Sequence, residues 1–181
     1  MTTVTLAIAK KAFPLFNGGD CPWYDFVEKE LGLTDQTVYG GTATQQERFS
    51  FFDQVRDIKT EVRRLYNPMD DAVVGDGATQ HGYSDSRAGT IIARTPKSIT
   101  IQFDTVKLLN KEQLQFHIGG FSAHCSNQQV QEYSYERNLE GGTAKFSRRK
   151  DGGWRSVGQT HVTSRYNDLS IGRNEFYDYN F

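Results

Sequence analysis

The spacing of hydrophobic residues along the chain changes near residue 71. Before that point apolar residues recur every three or four positions, the period of an amphipathic α-helix. After it, short runs alternate apolar and polar residues, a pattern typical of β-strands. The pattern therefore predicts an α+β protein: a helical extension over residues 1–71 and an antiparallel β domain over residues 72–181.

Two helices are predicted in the N-terminal part. The first is bracketed by Asp20 as N-cap, Pro22 in the first turn and Gly32 past the end. The second starts at Thr44, where TQQE matches the capping-box pattern, and ends before Asn67-Pro68. Its apolar face consists of Phe51, Val55, Ile58, Val62 and Leu65. We expect this face to dock on a hydrophobic core. A partner-binding helix is the alternative, because these positions are too few to indicate a coiled coil.

An edge strand is predicted ahead of both helices, because Val4, Leu6 and Ile8 alternate with other residues. In the C-terminal part, strands are predicted at Ala88–Arg94, at Ile99–Phe103 and in AKFSRR, separated by Gly- or Pro-containing turns. Such short strands at regular intervals indicate a small antiparallel barrel or sandwich of SH3-like type, without the parallel sheet of an α/β protein.

Composition restricts the class of protein further. Aromatic residues make up 13% of the chain, which is enough to build a core although hydrophobic residues make up only 36%. The net charge of −1 divides into −3 over residues 1–71 and +2 over residues 72–181, so no strong attraction to nucleic acid or membrane is expected. The two cysteines, Cys21 and Cys125, form no CxxC pair. Free thiols in a reducing compartment fit best, and a single disulfide remains the alternative.

The segment VGDGATQHGYSDSRAGTIIA, residues 74–93, has three interpretations. Its glycines match neither GxxxxGK[ST] nor GxGxxG, so phosphate binding is disfavoured. Asp76, His81 and Asp85 are candidate metal ligands, but they lack the tight spacing of zinc sites and the DxDxDG calcium pattern. The interpretation that remains is structural: turns in which aspartates bond nearby backbone, leading into a strand. We therefore expect no metal and no cofactor.

Signatures of catalysis are absent from the sequence. There is no GxSxG motif, and His124 and Cys125 are adjacent, so on a strand their side chains point to opposite faces. The carboxylates are scattered. We therefore predict that the protein is not an enzyme.

A basic, aromatic-bearing segment is the main candidate binding site. Cations interleaved with aromatic residues suit phosphate contact with base stacking, and they suit an acidic protein surface equally well. The alternative is a purely structural role, in which the segment is a solvated hairpin whose charges keep an edge strand soluble. The candidate residues are Lys145, Arg148, Arg149, Lys150, Trp154, Arg155, Arg165 and Arg173.

From residue 74 onward the chain resembles small proteins encoded by tailed bacteriophages and prophages. The segments that carry the resemblance are VGDGAT, ITIQFD, QEYSYERN, FSRRKDGGWRSVG and LSIGRNEFYDYNF, in this order. Relative to that pattern residues 107–129 are an insertion, and residues 1–70 have no counterpart. The resemblance implies a phage setting in the cytoplasm of the bacterial host, and it implies no catalytic residues.

Small phage proteins without an enzyme signature often bind a host factor, so we expect an inhibitor of a nucleic-acid-directed defence system. By analogy with such phage proteins, the expected partner is a host protein such as a Cas nuclease, or its complex with nucleic acid. A nucleic-acid-binding barrel acting in phage replication or transcription is the alternative, and a protein that sequesters a small ligand is the third hypothesis. The weak basic excess of residues 72–181 favours the protein partner.

Overall fold

The computed structural model describes residues 3–17, 20–32, 44–119, 122–158 and 167–180. The chain divides into two compact units. The first consists of Met1–Asn67 and the turn Lys150–Gly153, and the second of Pro68–Arg149 and Trp154–Phe181. The first unit is helical and the second contains all the described strands, so the predicted α+β class is confirmed.

The described part of the helical unit contains α1 (Leu6–Ala12), α2 (Asp20–Leu31) and α3 (Gln45–Leu65). At the start of α3 the predicted capping box is present, because the Glu47 amide donates to Thr44 Oγ1 and the Thr44 amide donates to Glu47 Oε2. Gly32 ends α2 with a φ of 69°, a conformation that favours glycine. The buried core of the unit consists of Ala9, Ala12, Trp23, Val27, Leu31, Phe51, Val55 and Val62.

The predicted edge strand at Val4, Leu6 and Ile8 is wrong, because the chain forms α1 there. The Thr5 hydroxyl accepts a hydrogen bond from the Ile8 amide and so caps the helix. Ala7, Ala9 and Ala12 favour helix, and Ala9 and Ala12 are both buried at a spacing of three. The alternation of three apolar residues was too short to outweigh these signals.

The second unit contains ten described strands, in chain order β1 (Gly77–His81), β2 (Ser86–Thr95), β3 (Ser98–Phe103), β4 (Thr105–Leu108), β5 (Phe116–Gly119), β6 (Ser122–Cys125), β7 (Tyr133–Glu136), β8 (Thr143–Arg148), β9 (Trp154–Ser156) and β10 (Leu169–Ile171). Six of them form one antiparallel sheet in the order β10-β1-β2-β3-β8-β9. The edge strands approach each other where the Asp168 amide donates to the Trp154 carbonyl at 2.8 Å. The sheet is thus a nearly closed barrel, which confirms the predicted antiparallel barrel.

The inner face of this sheet carries the apolar core. Ile99 pairs with Phe146 and Ile101 with Ala144 across β3 and β8, so their side chains share one face. A register shift between Ile91 and Ala93 marks a bulge in β2, a device that bends a sheet towards closure. The buried core consists of Met69, Ala72, Ala78, Ile91, Ile99, Ile101, Phe146, Trp154 and Leu169.

The outer face of β1 and β2 is also buried, because the C-terminal segment 172–180 covers it. Thr79, Ala88 and Thr90 are buried although they point away from the apolar core. The end of the chain is rich in aromatic residues (Phe176, Tyr177, Tyr179 and Phe181), which predicts that this segment packs back as a final strand. It does pack back on the barrel, but Phe176 contributes a single antiparallel bridge to Ser86 in place of a full strand.

The predicted insertion, residues 107–129, contains the β5–β6 hairpin and the 3₁₀ turn Lys111–Gln113, and a second 3₁₀ turn, Gln128–Val130, begins at its end. β4 and β7 pair beside it as a separate two-stranded sheet. None of the helices in the ranges described above is long and apolar enough to cross a membrane.

Candidate partner-binding surfaces

The glycine- and aspartate-rich segment after residue 74 contains turns. Gly75 has a φ of 101°, which favours glycine, and its amide donates to the Ile91 carbonyl at 2.9 Å. Asp76 Oδ2 accepts a hydrogen bond from the Val73 amide at 2.8 Å, as expected for an aspartate that closes its own turn. Asp85 differs from the expectation, because its Oδ1 accepts from the distant Asp178 amide at 2.7 Å and so anchors the C-terminal tail.

His81, the third candidate metal ligand, lies on the same face of β1 as Thr79, opposite the apolar core. Its Nδ1 lies 3.1 Å from Ser86 Oγ and its Nε2 lies 2.8 Å from Ser170 Oγ. Both ring nitrogens therefore have hydroxyl partners. Across the described ranges, no group of three or more His, Cys, Asp or Glu side chains is arranged to hold a metal ion.

Asp70 engages two of the predicted binding residues. The Arg148 guanidinium donates from Nε to Asp70 Oδ1 at 2.7 Å and from Nη2 to Asp70 Oδ2 at 2.8 Å, a bidentate ion pair. The Trp154 indole donates to the same Oδ1 at 3.1 Å. Because Trp154 is 0% exposed, its ring is not available for base stacking. Arg148 and Trp154 thus form part of the barrel's internal structure.

Arg173 is likewise held inside the second unit. Its Nε donates to Asp104 Oδ2 at 2.7 Å and its Nη2 to Thr90 Oγ1 at 2.8 Å. The Thr90 hydroxyl in turn donates to Asp104 Oδ1 at 2.8 Å. The Asp104 side chain is 0% exposed, and Arg137 Nη1 lies 3.6 Å from Asp104 Oδ1. These four residues form a polar cluster through which Arg173 fixes the C-terminal segment to the barrel unit.

The other predicted binding residues differ in their position and in their exposure to solvent. Lys145 lies on the outer face of β8, Arg149 follows the strand, and both are exposed. Arg155 is half-buried on the same face, because it pairs with Ser147 across β8 and β9. Lys150 is exposed in the turn that belongs to the helical unit. Arg165 lies outside the described residues.

The β5–β6 hairpin exposes a cluster of apolar side chains that the sequence did not single out as a site. Ile118 is fully exposed, and Phe116, two residues earlier on the same face, is 46% exposed. The Phe116 ring packs edge-on against Tyr179 with a centroid distance of 5.2 Å. Leu114, Phe116 and Ile118 alternate as a strand does. That pattern fits a covered face and an uncovered face equally well.

The base of this hairpin is fixed by asparagine side chains. Asn180 accepts from the Cys125 amide at 2.7 Å and donates to the Cys125 carbonyl at 3.0 Å, as a neighbouring strand would. Asn127 bonds the backbone of Gln113 and Gln115. The exposed side chains of the hairpin are therefore presented from an ordered base.

Burial also perturbs the carboxyl group of Glu175, which lies in the C-terminal segment 172–180. Removal from water raises the pKa of Glu175, and the hydrogen bond from the Ala88 amide at 2.6 Å acts in the opposite direction. Burial also raises the pKa of Tyr133 to about 12. The Glu175 amide in turn donates a hydrogen bond to the Tyr135 hydroxyl at 3.1 Å.

Taken together, the chain consists of a helical unit and a nearly closed six-stranded antiparallel barrel unit, and the barrel unit carries an apolar hairpin. Comparison with protein-family models, with curated proteins and with solved structures found no match.

Proposed function

We propose that this chain is a phage- or prophage-encoded, non-enzymatic binding protein that inhibits a host nucleic-acid-directed defence system, such as a CRISPR-Cas nuclease, through protein contacts in the bacterial cytoplasm. The phage setting is supported by the resemblance of residues 74–181 to phage-encoded proteins. The protein contact is supported by the exposure of Ile118 and Phe116 on the β5–β6 hairpin.

Exposed apolar side chains that share one face often mark protein-binding sites. The β5–β6 hairpin lies in the insertion, the part of the β domain that departs from the phage-protein pattern. Its base is held by Asn180 and Asn127, so little conformational entropy is lost when the hairpin docks. The barrel thus serves as a scaffold and the hairpin as the contact.

The test is a plaque assay in bacteria that carry an active CRISPR-Cas system, combined with binding of the purified Cas complex. Wild-type protein is expected to restore plaque formation, and Ile118→Asp to weaken binding by about a hundredfold, since burying a large aliphatic side chain contributes about 1.5–3 kcal/mol. Leu139→Asp is the matched control, because Leu139 is also exposed, at 78%, but lies outside the hairpin.

If wild-type protein leaves interference unchanged in every Cas system tried, the inhibitor assignment is wrong. If it inhibits and Ile118→Asp inhibits equally well, the hairpin is not the contact surface. Loss of inhibition in both variants would point to misfolding, which circular dichroism of each variant detects.

A second candidate function is nucleic-acid binding in phage replication or transcription, favoured by the exposed Lys145 and Arg149. Wild-type protein alone should then shift duplex DNA. In the double variant Lys145→Gln/Arg149→Gln, the slope of log affinity against log salt should become shallower by about 2, because two phosphate contacts are lost. The matched control is Lys107→Gln/Lys111→Gln, which removes two exposed cations elsewhere. Equal slopes in both variants, or no shift by wild-type protein at low salt, would exclude this candidate.

A further inference from the structure

The barrel unit contains a cavity of about 510 Å³ beside Asp70. It is lined by residues of the 3₁₀ turn Pro68–Asp70, the loop before β1, the β2–β3 turn and the end of β8. A volume of this size falls within the range of about 300–1,000 Å³ that holds small ligands. The lining residues are Asp70, Val73, Val74, Arg94, Thr95, Pro96 and Arg148.

Two arginines line the cavity, and only one of them is paired with a carboxylate. Arg148 is neutralised by its bidentate pair with Asp70. Arg94 donates instead to backbone, from Nη1 to the Ala72 carbonyl and from Nη2 to the Asp70 carbonyl. In the described part of the chain no carboxylate lies within 4.0 Å of its guanidinium nitrogens. The cavity therefore has an excess positive charge at Arg94.

The Arg94 guanidinium is held in place by the protein's own backbone. Two carbonyl acceptors hold the Arg94 guanidinium, which reduces the side-chain entropy that would be lost on binding. Arg94 Nε is a buried donor with no hydrogen-bond partner. A half-buried cation interacts with an anion more strongly than a fully solvated one does.

The other wall of the cavity is apolar and open to solvent. Val73 is 57% exposed and Val74 is 60% exposed, and Pro96 lies in the turn opposite them. Covering these side chains with an apolar ligand group would be favourable. The cavity thus combines one fixed cation with an exposed apolar wall.

We propose that this cavity binds a small organic anion: a carboxylate or phosphate monoester on an apolar or planar body. The anionic group contacts the Arg94 guanidinium, and the body covers Val73 and Val74. This binding activity goes beyond the proposed function and does not depend on it, because no residue of the β5–β6 hairpin lines the cavity.

The test is a titration of the full-length ¹⁵N-labelled protein with phenyl phosphate, followed by amide chemical shifts. Shifts are expected at residues 70–76 and 94–97, with a dissociation constant of about 1 mM or lower for a ligand of this size. Benzoate replaces the phosphate by a carboxylate. Inorganic phosphate lacks the apolar body, and benzyl alcohol lacks the charge; both are expected to bind at least about tenfold more weakly.

Two variants test the roles of the residues. Arg94→Gln keeps a donor for the backbone carbonyls but removes the charge, and Val74→Glu places a carboxylate in the cavity at an exposed position that the fold does not need. Each is expected to weaken phenyl phosphate binding at least about tenfold. Lys97→Gln removes a neighbouring exposed cation that does not line the cavity and should leave binding unchanged.

The proposal is overturned if phenyl phosphate and benzoate leave the amides of residues 70–76 and 94–97 unshifted at about 10 mM. It is also overturned if Val74→Glu, with an otherwise unchanged spectrum, binds as tightly as wild-type protein. Inorganic phosphate binding as tightly as phenyl phosphate would remove the role of the valines and overturn the assignment of an organic ligand.

Discussion

Replacing Arg173 by methionine is expected to lower the free energy of unfolding of the barrel unit by about 3 kcal/mol, because it leaves a buried carboxylate without its main cationic partner. Asp104 is that carboxylate, with a side chain that is 0% exposed. Its remaining contacts are the Thr90 hydroxyl and a longer contact of 3.6 Å to Arg137. These contacts keep the expected cost near the lower end of the range for breaking a buried pair.

Native-state hydrogen exchange at the amides of Ile101 and Phe146 measures this effect, because both residues are in the barrel core. Lys145→Met is the matched control: it removes an exposed cation from the same set of predicted binding residues, and a change within about 0.5 kcal/mol is expected. The double variant Arg173→Met/Asp104→Leu should recover part of the loss, since no buried carboxylate is left unpaired and the remaining cation, Arg137, is partly exposed. A cost below about 0.5 kcal/mol for Arg173→Met would contradict the structural role of this residue.

The features that the sequence predicted well depend on residues close together in the chain. The capping box joins Thr44 and Glu47, and Gly152 supplies the positive φ in the turn between β8 and β9. Each signal is complete within a few residues, so the distant environment does not alter it. The prediction of an N-terminal edge strand failed at the same local level, because the Thr5 cap and the alanines of α1 favour helix more strongly than an alternation of three residues favours a strand.

The roles of the basic residues were not predictable in the same way. Asp70 and Arg148 are 78 positions apart, and Asp104 and Arg173 are 69 positions apart. A cation next to an aromatic residue has the same appearance in the sequence whether its carboxylate partner lies across the barrel or on another molecule. Only the fold shows that Arg148 and Arg173 have internal partners.

The β5–β6 hairpin shows a second reason why the sequence did not predict the candidate site. Alternation at Leu114, Phe116 and Ile118 predicts a strand, and β5 begins at Phe116. Which face is covered depends on how many layers surround that strand. β5 pairs only with β6, and Ile118 has no covering layer among the described residues. Periodicity therefore identified the element and left its exposed face undetermined.

Trp154 is the candidate for which the binding and structural interpretations predict the most different results. Its ring is 0% exposed in the barrel core, and its indole nitrogen donates to Asp70. Trp154→Ala should therefore destabilise the barrel unit by about 3–5 kcal/mol, because it leaves a large cavity. Trp154→Phe retains an aromatic ring and loses the hydrogen bond, so a smaller cost is expected, of about 1–2 kcal/mol.

Hydrogen exchange at Ile101 and Phe146 again gives the free energies. A base-stacking tryptophan would behave in the opposite way: Trp154→Ala would leave exchange unchanged and weaken nucleic-acid binding by about 1–3 kcal/mol. Trp154→Phe keeps most of the buried ring, so its cost measures the loss of the bond to Asp70 together with the smaller ring volume. If Trp154→Ala and Trp154→Phe destabilise the barrel equally, ring burial is not what holds this side of the core together.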